Sequence, residues 1–249
     1  MTLLLVDIGN SRVKWARCKH GVLGEQQAAA YADWTADDWR AVLFQGAPIE
    51  RVLAASVAGG ASVAALDAAA RAATGRGIER VTTQPAAAGV VNGYADPALL
   101  GVDRWLAMIG AYRHVRGACV VADIGTAATV DVVAADGRHC GGYIVPGPRL
   151  MVASLLHGTS DLASFRATSP PGAGSAFADN TRDAIERGCR VALAAWVERC
   201  VRDAERRVGV TPRLLLTGGA LPEVLPYLEI PGEQVPDLVL WGLRDVAGT

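Results

Sequence analysis

The chain has 249 residues, of which 51% are hydrophobic and 20% are charged. It is therefore long enough to bury a sizeable core as one large domain or as two of about 120 residues, and this composition argues against global disorder. The formal net charge of −1 gives no electrostatic case for a nucleic-acid partner. The sequence contains no run of about 18 apolar residues, which a membrane span would need. We therefore expect neither nucleic acid nor a membrane as a partner.

The cysteine pattern indicates a reducing compartment. There are five cysteines, an odd number, and none lies in a CxxC pair. The short apolar stretch near the N-terminus has no basic region before it and runs into Asp7, which is not typical of a signal peptide. We therefore expect reduced thiols and a cytoplasmic protein.

Apolar runs separated by turn residues predict a strand-rich start to the first half. In chain order, the predicted elements are a strand–hairpin–strand unit over 3–17, a third strand near 22–30, a short helix from Asp37 to Phe44, a strand over 51–57, a helix over 61–74 and an apolar helix over 105–115. Gly75 can end the helix over 61–74, because glycine readily takes the left-handed conformation found there.

The second half repeats this order. Its predicted elements are strands over 118–123, 129–135 and 138–145, a helix from Leu150 to Leu156, a loop rich in Pro, Gly and Ser over 163–177, a helix over 183–207, and strands over 213–217 and 237–241. Asn180 fits the N-cap of the long helix. One face of that helix is an apolar stripe formed by Leu193, Val197, Cys200 and Ala204.

Hairpins followed by alternating helices and strands, twice over, indicate a duplicated α/β fold with mixed sheets. We place the two halves at 1–115 and 116–249. The cleft between such halves is the default ligand site.

The most informative feature is a motif that occurs twice, close to half a chain apart. Residues 3–14 read LLLVDIGNSRVK, and residues 119–131 read CVVADIGTAATVD. In each, an apolar strand runs into Asp-Ile-Gly and then a second strand, which predicts a tight hairpin whose glycine lets a ligand approach the backbone. One such turn is common and says little. Two of them favour a phosphate site, with carboxylates holding cations and with amides and hydroxyls holding phosphate oxygens.

A second candidate is LGVDR at 100–104, just before the apolar helix. Asp103 could accept a proton from a substrate hydroxyl, and Arg104 could bind an anionic substrate group or developing phosphate charge. The structural alternative is a helix cap with a surface ion pair.

Four further segments also have two interpretations. The glycines of 141–147 bring backbone close to a ligand or form an ordinary strand and turn, and 217–219 suits a nucleotide or a tight turn. Capping alone is the favoured interpretation of Asn180 with Thr181. Tyr94, in a turn, either lines a pocket or covers the core.

Other kinds of site are disfavoured. The four histidines show no HxxxH or HExxH spacing, which argues against zinc. The chain has neither a GxxxxGK[ST] motif nor a serine-nucleophile elbow, which excludes a Walker-type nucleotide site and the usual serine hydrolase arrangement.

In order and spacing, these motifs closely resemble those of type III pantothenate kinases, from Asp7 to the terminal LVLWGL. The resemblance rests on DIGNS at 7–11, Tyr94, LGVDR at 100–104, DIGTAATVD at 123–131, GGYIVPG at 141–147, NT at 180–181 and TGG at 217–219. That family belongs to the acetate and sugar kinase/Hsp70/actin superfamily. The resemblance therefore implies two ribonuclease-H-like halves of the actin-like ATPase fold, and phosphorylation of the pantothenate hydroxyl by ATP, the first committed step to coenzyme A.

The resemblance also implies roles for single residues. Asp103 matches the general base and Arg104 its neighbouring substrate-site arginine, while Asp123 matches the ligand of a monovalent cation, usually potassium or ammonium. Asp7 is expected near Mg²⁺. The first phosphate motif is matched by Asp7, Gly9, Asn10, Ser11 and Lys14, the second by Gly125, Thr126 and Thr129, the adenosine loop by Gly218 and Gly219, and the pantothenate pocket by Tyr94, Gly101 and Ile144.

The sequence departs from the family at one motif position, and the resemblance also implies an oligomeric state. Ser11 stands where the family more often has threonine, but it keeps the hydroxyl, so we expect the phosphate contact to survive. The resemblance implies a homodimer in which Thr181 reaches the pantothenate site across the interface, and the stripe of the helix that follows could meet its twin.

Two other functions remain open. One is another kinase or phosphatase of the same superfamily, acting on a sugar or polyphosphate; LGVDR and GGYIVPG argue against it by resemblance. The other is a regulatory or binding protein that keeps the fold without turnover, and the intact Asp103 and Asp123 favour an enzyme over it.

Overall fold

The computed structural model describes residues 1–157 and 177–248. Its first elements are β1 (Thr2–Ile8), β2 (Arg12–Lys19), β3 (Val22–Leu23), β4 (Gln27–Ala30), α1 (Ala36–Leu43), β5 (Arg51–Ser56), α2 (Gly60–Thr74), β6 (Glu79–Arg80), β7 (Ala86–Ala87), β8 (Val90–Val91) and α3 (Val102–Val115). They are followed by β9 (Cys119–Ile124), β10 (Ala127–Val133), β11 (His139–Pro146), α4 (Pro148–His157), α5 (Thr181–Val208), β12 (Arg213–Thr217), α6 (Leu221–Val224), β13 (Glu233–Gln234) and α7 (Leu238–Val246).

Most predicted elements are present, with local differences. The third strand expected near 22–30 is split into β3 and β4. Helix α3 begins at Val102, so Asp103 and Arg104 lie inside its first turn and not before it. The loop predicted over 163–177 lies outside the described residues, apart from Phe177.

The chain divides into two compact units. The first comprises Met1–Arg116, Gly137–His139 and Asp237–Thr249. Its sheet has the order β3-β2-β1-β5-β6, with β4 also paired to β2. Strand β1 runs antiparallel to β2 and parallel to β5. On one face of this sheet, apolar side chains of β1 pack in a core cluster with residues of α1 and α2.

The second unit comprises Gly117–Asp136 and Cys140–Pro236. Its sheet has the order β11-β10-β9-β12-β13, and β9 runs antiparallel to β10 and parallel to β12. With β4 set aside, each unit therefore orders its strands third, second, first, fourth, fifth. The shared order confirms the predicted α/β duplication with mixed sheets.

The strand predicted over 237–241 is wrong, because these residues open helix α7. A run of four apolar residues is compatible with a buried strand or a buried helix, and periodicity cannot separate them. Packing against α3 decides the outcome. A Cβ on Gly110 would collide with the Leu238 carbonyl, and a Cβ on Gly242 would collide with the Leu106 carbonyl. The two glycines let the helices approach closely, and the C-terminal segment joins the first unit, although the sequence pattern groups it with 116–249.

Helix α5 has the predicted cap but uses its apolar stripe differently. The Asn180 side chain accepts the Asp183 N–H at 3.0 Å, as an N-cap does. The stripe residues are buried in a core cluster with side chains of β9, β10 and β12. The expectation that this stripe meets a twin helix is therefore wrong.

Within the two described segments, no helix is both long enough and apolar enough to cross a membrane.

Candidate functional site

The first Asp-Ile-Gly motif forms the end of a hairpin, as predicted. Asp7, near the end of β1, faces Lys14 of β2, so the two side chains leave the sheet on the same face. Asp7 is buried, whereas Asn10 and Ser11 at the tip are exposed. An ionisable pair is therefore placed directly beneath an open turn of small polar residues, which suits a polyanionic ligand.

The second motif forms a shorter hairpin in the other unit. The Gly125 N–H donates to the Ala127 carbonyl at 2.9 Å, which leaves Thr126 exposed at the tip. Because this turn is one residue shorter than the first, Thr129 faces Asp123 across the strands. The two tips are therefore related but not identical.

Gly218 follows β12 and packs against the end of β9. It has a φ of +104°, which favours glycine. A Cβ there would collide with the Ile124 carbonyl oxygen and with Oδ1 of Asp123. The structure thus brings Asp123, Thr129 and Gly218 together in the second unit, with Gly219 next in the same turn.

Four residues predicted to handle the acceptor lie together where α3 begins. Gly101 is at the N-cap position, and Asp103 and Arg104 are in the first turn. The Arg104 side chain is only 7% exposed, its Nη1 donates to the Tyr94 hydroxyl at 2.9 Å, and its Cζ lies 5.8 Å from the centroid of that ring. Arg104 is thus a buried, oriented cation, which disfavours the surface ion-pair alternative.

Asp103 has one local partner in this turn. Its Oδ1 accepts the Arg104 backbone N–H at 2.8 Å, and the residue is partly exposed. A Cβ on Gly101 would lie 2.7 Å from the same oxygen. The turn therefore holds the carboxylate in place and keeps its surroundings free of a neighbouring side chain.

His139 lies behind Tyr94 and was missed by the sequence analysis. The two rings stack with centroids 5.8 Å apart and an interplanar angle of 17°, and His139 is 2% exposed. Metal-ligand spacing could not reveal this residue, because its role is to support an aromatic ring far away in sequence. Among the described residues, no group of three or more His, Cys, Asp and Glu side chains could enclose a metal ion.

Ile144 and Thr181 lie on separate elements of the second unit. Ile144 is 60% exposed on β11, and Thr181 is the exposed first residue of α5. Thr181 lines an open groove of about 460 Å³. The other lining residues come from α4 and α5: Met151, Leu155, Ala184, Ile185, Gly188 and Cys189.

Comparison with solved structures shows the fold. Component A of (R)-2-hydroxyglutaryl-CoA dehydratase from Acidaminococcus fermentans superposes with a TM-score of 0.57 at 15% identity, over 100% of this chain and 97% of that one. An archaeal actin homologue has a TM-score of 0.53 at 14% identity, over 100% of this chain and 99% of that one. The chain therefore has the actin-like α/β fold.

Comparison of sequences is more specific. A type III pantothenate kinase from Aromatoleum aromaticum is 40% identical over 253 residues, which cover 98% of this chain and 97% of the relative. The family model described as type III pantothenate kinase matches residues 3–203. Since the match spans both hairpins and the first turn of α3, the chain belongs to the type III pantothenate kinase family.

Proposed function

We propose that this chain transfers the γ-phosphoryl group of ATP to the hydroxyl of pantothenate, giving 4'-phosphopantothenate in the first step of coenzyme A biosynthesis. The observation that carries the proposal is the 40% identity to a type III pantothenate kinase over 98% of the chain. We place the reaction in the cytoplasm, where ATP is available and where the five cysteine thiols stay reduced.

Asp103 is the proposed general base. Phosphoryl transfer needs a group that takes the proton of the attacking hydroxyl and otherwise depends on positioning. The carboxylate of Asp103 lies in the same helical turn as Arg104, which is proposed to bind the pantothenate carboxylate. Because the guanidinium is buried and donates to the Tyr94 hydroxyl, it is held in few orientations before substrate binds. Gly101 keeps the start of this turn open for substrate.

The hairpin tips are proposed to hold the phosphates of ATP. Exposed backbone amides and the hydroxyls of Ser11 and Thr126 supply donors, and Lys14 supplies a positive charge. We propose that Asp7 helps hold Mg²⁺. Proteins commonly bind this ion through one or two carboxylates together with substrate phosphates, which fits a single buried carboxylate below an open tip. When bound, Mg²⁺ neutralises charge on the phosphate oxygens.

Asp123 is the proposed ligand of a potassium or ammonium ion. A Cβ on Gly218 would collide with Oδ1 of Asp123 and with the Ile124 carbonyl oxygen, so only a glycine lets the backbone pack this closely against these two oxygen atoms at the end of β9. Such oxygen atoms are suitable ligands for a hard monovalent cation. The ion would compensate a partly buried carboxylate whose isolation from water is otherwise costly, and Gly218 with Gly219 would pack against the adenosine.

A homodimer is the proposed active form. Thr181 is exposed at the start of α5, beside an open groove that contains the apolar side chains Met151 and Leu155. We propose that Thr181 completes the pantothenate pocket of the partner, with Ile144 as an apolar wall.

An ADP-release assay with pantothenate as acceptor tests the proposed function. Turnover should require pantothenate and should need potassium or ammonium, with a drop in activity in sodium buffer. ADP release that requires glucose or polyphosphate would instead identify another kinase of the superfamily. Nucleotide binding without turnover on any acceptor would favour a regulatory protein.

A further inference from the structure

Tyr31 contacts the tip of the first hairpin from a distant part of the sequence. Its hydroxyl donates to the Gly9 carbonyl oxygen, and its side chain is 7% exposed. The ring is fixed from behind by Trp39, with centroids 5.4 Å apart, and Trp39 packs edge-on against Trp34 at 5.1 Å. An aromatic cluster therefore holds a hydroxyl against one carbonyl of the loop.

That carbonyl shares a peptide unit with the Asn10 N–H. The unit is planar and trans, so the C=O and N–H bonds point in opposite directions. Because Tyr31 holds the Gly9 oxygen, the Asn10 N–H must point away from the aromatic cluster. The Gly9 N–H is also engaged, since it donates to the Arg12 carbonyl at 3.0 Å. Both peptide units at Gly9 are thereby oriented.

We infer that Tyr31 is a positioning residue for nucleotide phosphates, acting through the Asn10 amide. The inference rests on the proposed function, in which this tip holds phosphate oxygens. Fixed amide dipoles stabilise an anion without having to reorganise when it binds. Without the Tyr31 hydroxyl, the peptide between Gly9 and Asn10 could rotate, and binding would then have to order it.

The second hairpin uses the same arrangement with another donor. There the Gly147 N–H donates to the Thr126 carbonyl at 2.9 Å, so the following amide, that of Ala127, is oriented by the same planarity argument. Each unit thus restrains one tip carbonyl from outside the hairpin. The donor is a backbone amide in the second unit and a tyrosine hydroxyl in the first, which makes the first arrangement testable by a single-atom deletion.

The test is Tyr31→Phe, with Tyr227→Phe as the matched control. The Tyr227 hydroxyl is buried and has no hydrogen-bond partner among the described residues, so its removal should change neither KM. Tyr31→Phe should raise the KM for ATP about tenfold, the scale of one hydrogen bond to a charged group. The KM for pantothenate should stay within about twofold, and both melting temperatures within about 4 °C of wild type.

A second pair of variants tests the amide itself. Asn10→Pro removes the N–H, whereas Asn10→Ala removes only the side chain. Asn10→Pro should raise the KM for ATP at least as much as Tyr31→Phe, and combining the two should cost little more, because both act on one amide. When Tyr31→Phe is combined with Asn10→Ala, it should still raise the KM for ATP, because the Asn10 N–H is still present. If Tyr31→Phe does not fold, the two Asn10 variants still test the inference. Equal KM values for ATP in Asn10→Pro and Asn10→Ala would overturn it.

Calorimetric binding of ADP separates the inference from the proposed function. If the wild type turns over pantothenate while Tyr31→Phe leaves the KM for ATP unchanged, or raises both KM values equally, Tyr31 does not position phosphates. If the wild type binds ADP without turnover and Tyr31→Phe weakens that binding about tenfold, the proposed function fails and the inference stands. A wild type that neither binds ADP nor turns over contradicts both.

Discussion

Replacing Asp103 by asparagine should remove the base and leave the fold intact. The amide is nearly isosteric, and its Oδ1 can still accept the Arg104 N–H that the carboxylate accepts at 2.8 Å. The first turn of α3 should therefore keep its geometry. The amide cannot take the proton of the pantothenate hydroxyl. Since a positioned general base contributes about 10²–10⁴-fold, kcat should fall by that factor, which corresponds to about 2.7–5.5 kcal/mol in the activation barrier.

The measurement is steady-state ADP release at saturating ATP and pantothenate, with melting temperature recorded for each variant. Asp96→Asn is the matched control, because Asp96 also accepts a backbone N–H, that of Ala98 at 3.0 Å, and has no proposed role in the reaction. The control should keep wild-type kcat. If Asp103→Asn keeps most of its turnover while the wild type is active, another group is the base.

Three further outcomes are expected. Activity should need potassium or ammonium, and Asp123→Asn should abolish the response to potassium; equal rates in buffer with sodium alone would contradict a cation at Asp123. Asp103→Ala and Thr181→Arg should each inactivate the homodimer. Purified mixed dimers of the two variants should regain about half of wild-type activity, because one of their two sites carries neither substitution. Mixed dimers as inactive as the parent homodimers would show that Thr181 does not act across the interface. Burial raises the pKa of Cys119 to about 12 and that of Cys200 to about 11. Neither thiol should therefore be alkylated in the native protein at about pH 8. Rapid labelling of either cysteine by iodoacetamide, mapped by mass spectrometry, would contradict this expectation.

Local chemistry determined the parts of this protein that were predicted from sequence. Gly75 ends α2 with a φ of +73°, and Asn180 caps α5 through its own side chain. Both effects involve residues within a few positions of each other, so they can be read from short patterns. The two Asp-Ile-Gly hairpins belong to the same class, because apolar strands joined by a glycine turn pair with their immediate neighbours.

Only the tertiary structure decided which long-range contacts form. The last apolar run forms helix α7, and two glycines let it pack closely on α3. The apolar stripe of α5 is buried in the core of its own unit. The supports of the site were also invisible in sequence: Tyr31 reaches Gly9, and His139 stacks on Tyr94. A hydrophobic pattern predicts that a side chain is buried, but it does not predict which neighbour the side chain packs against. That choice depends on how helices and strands pack against one another, which local sequence does not encode.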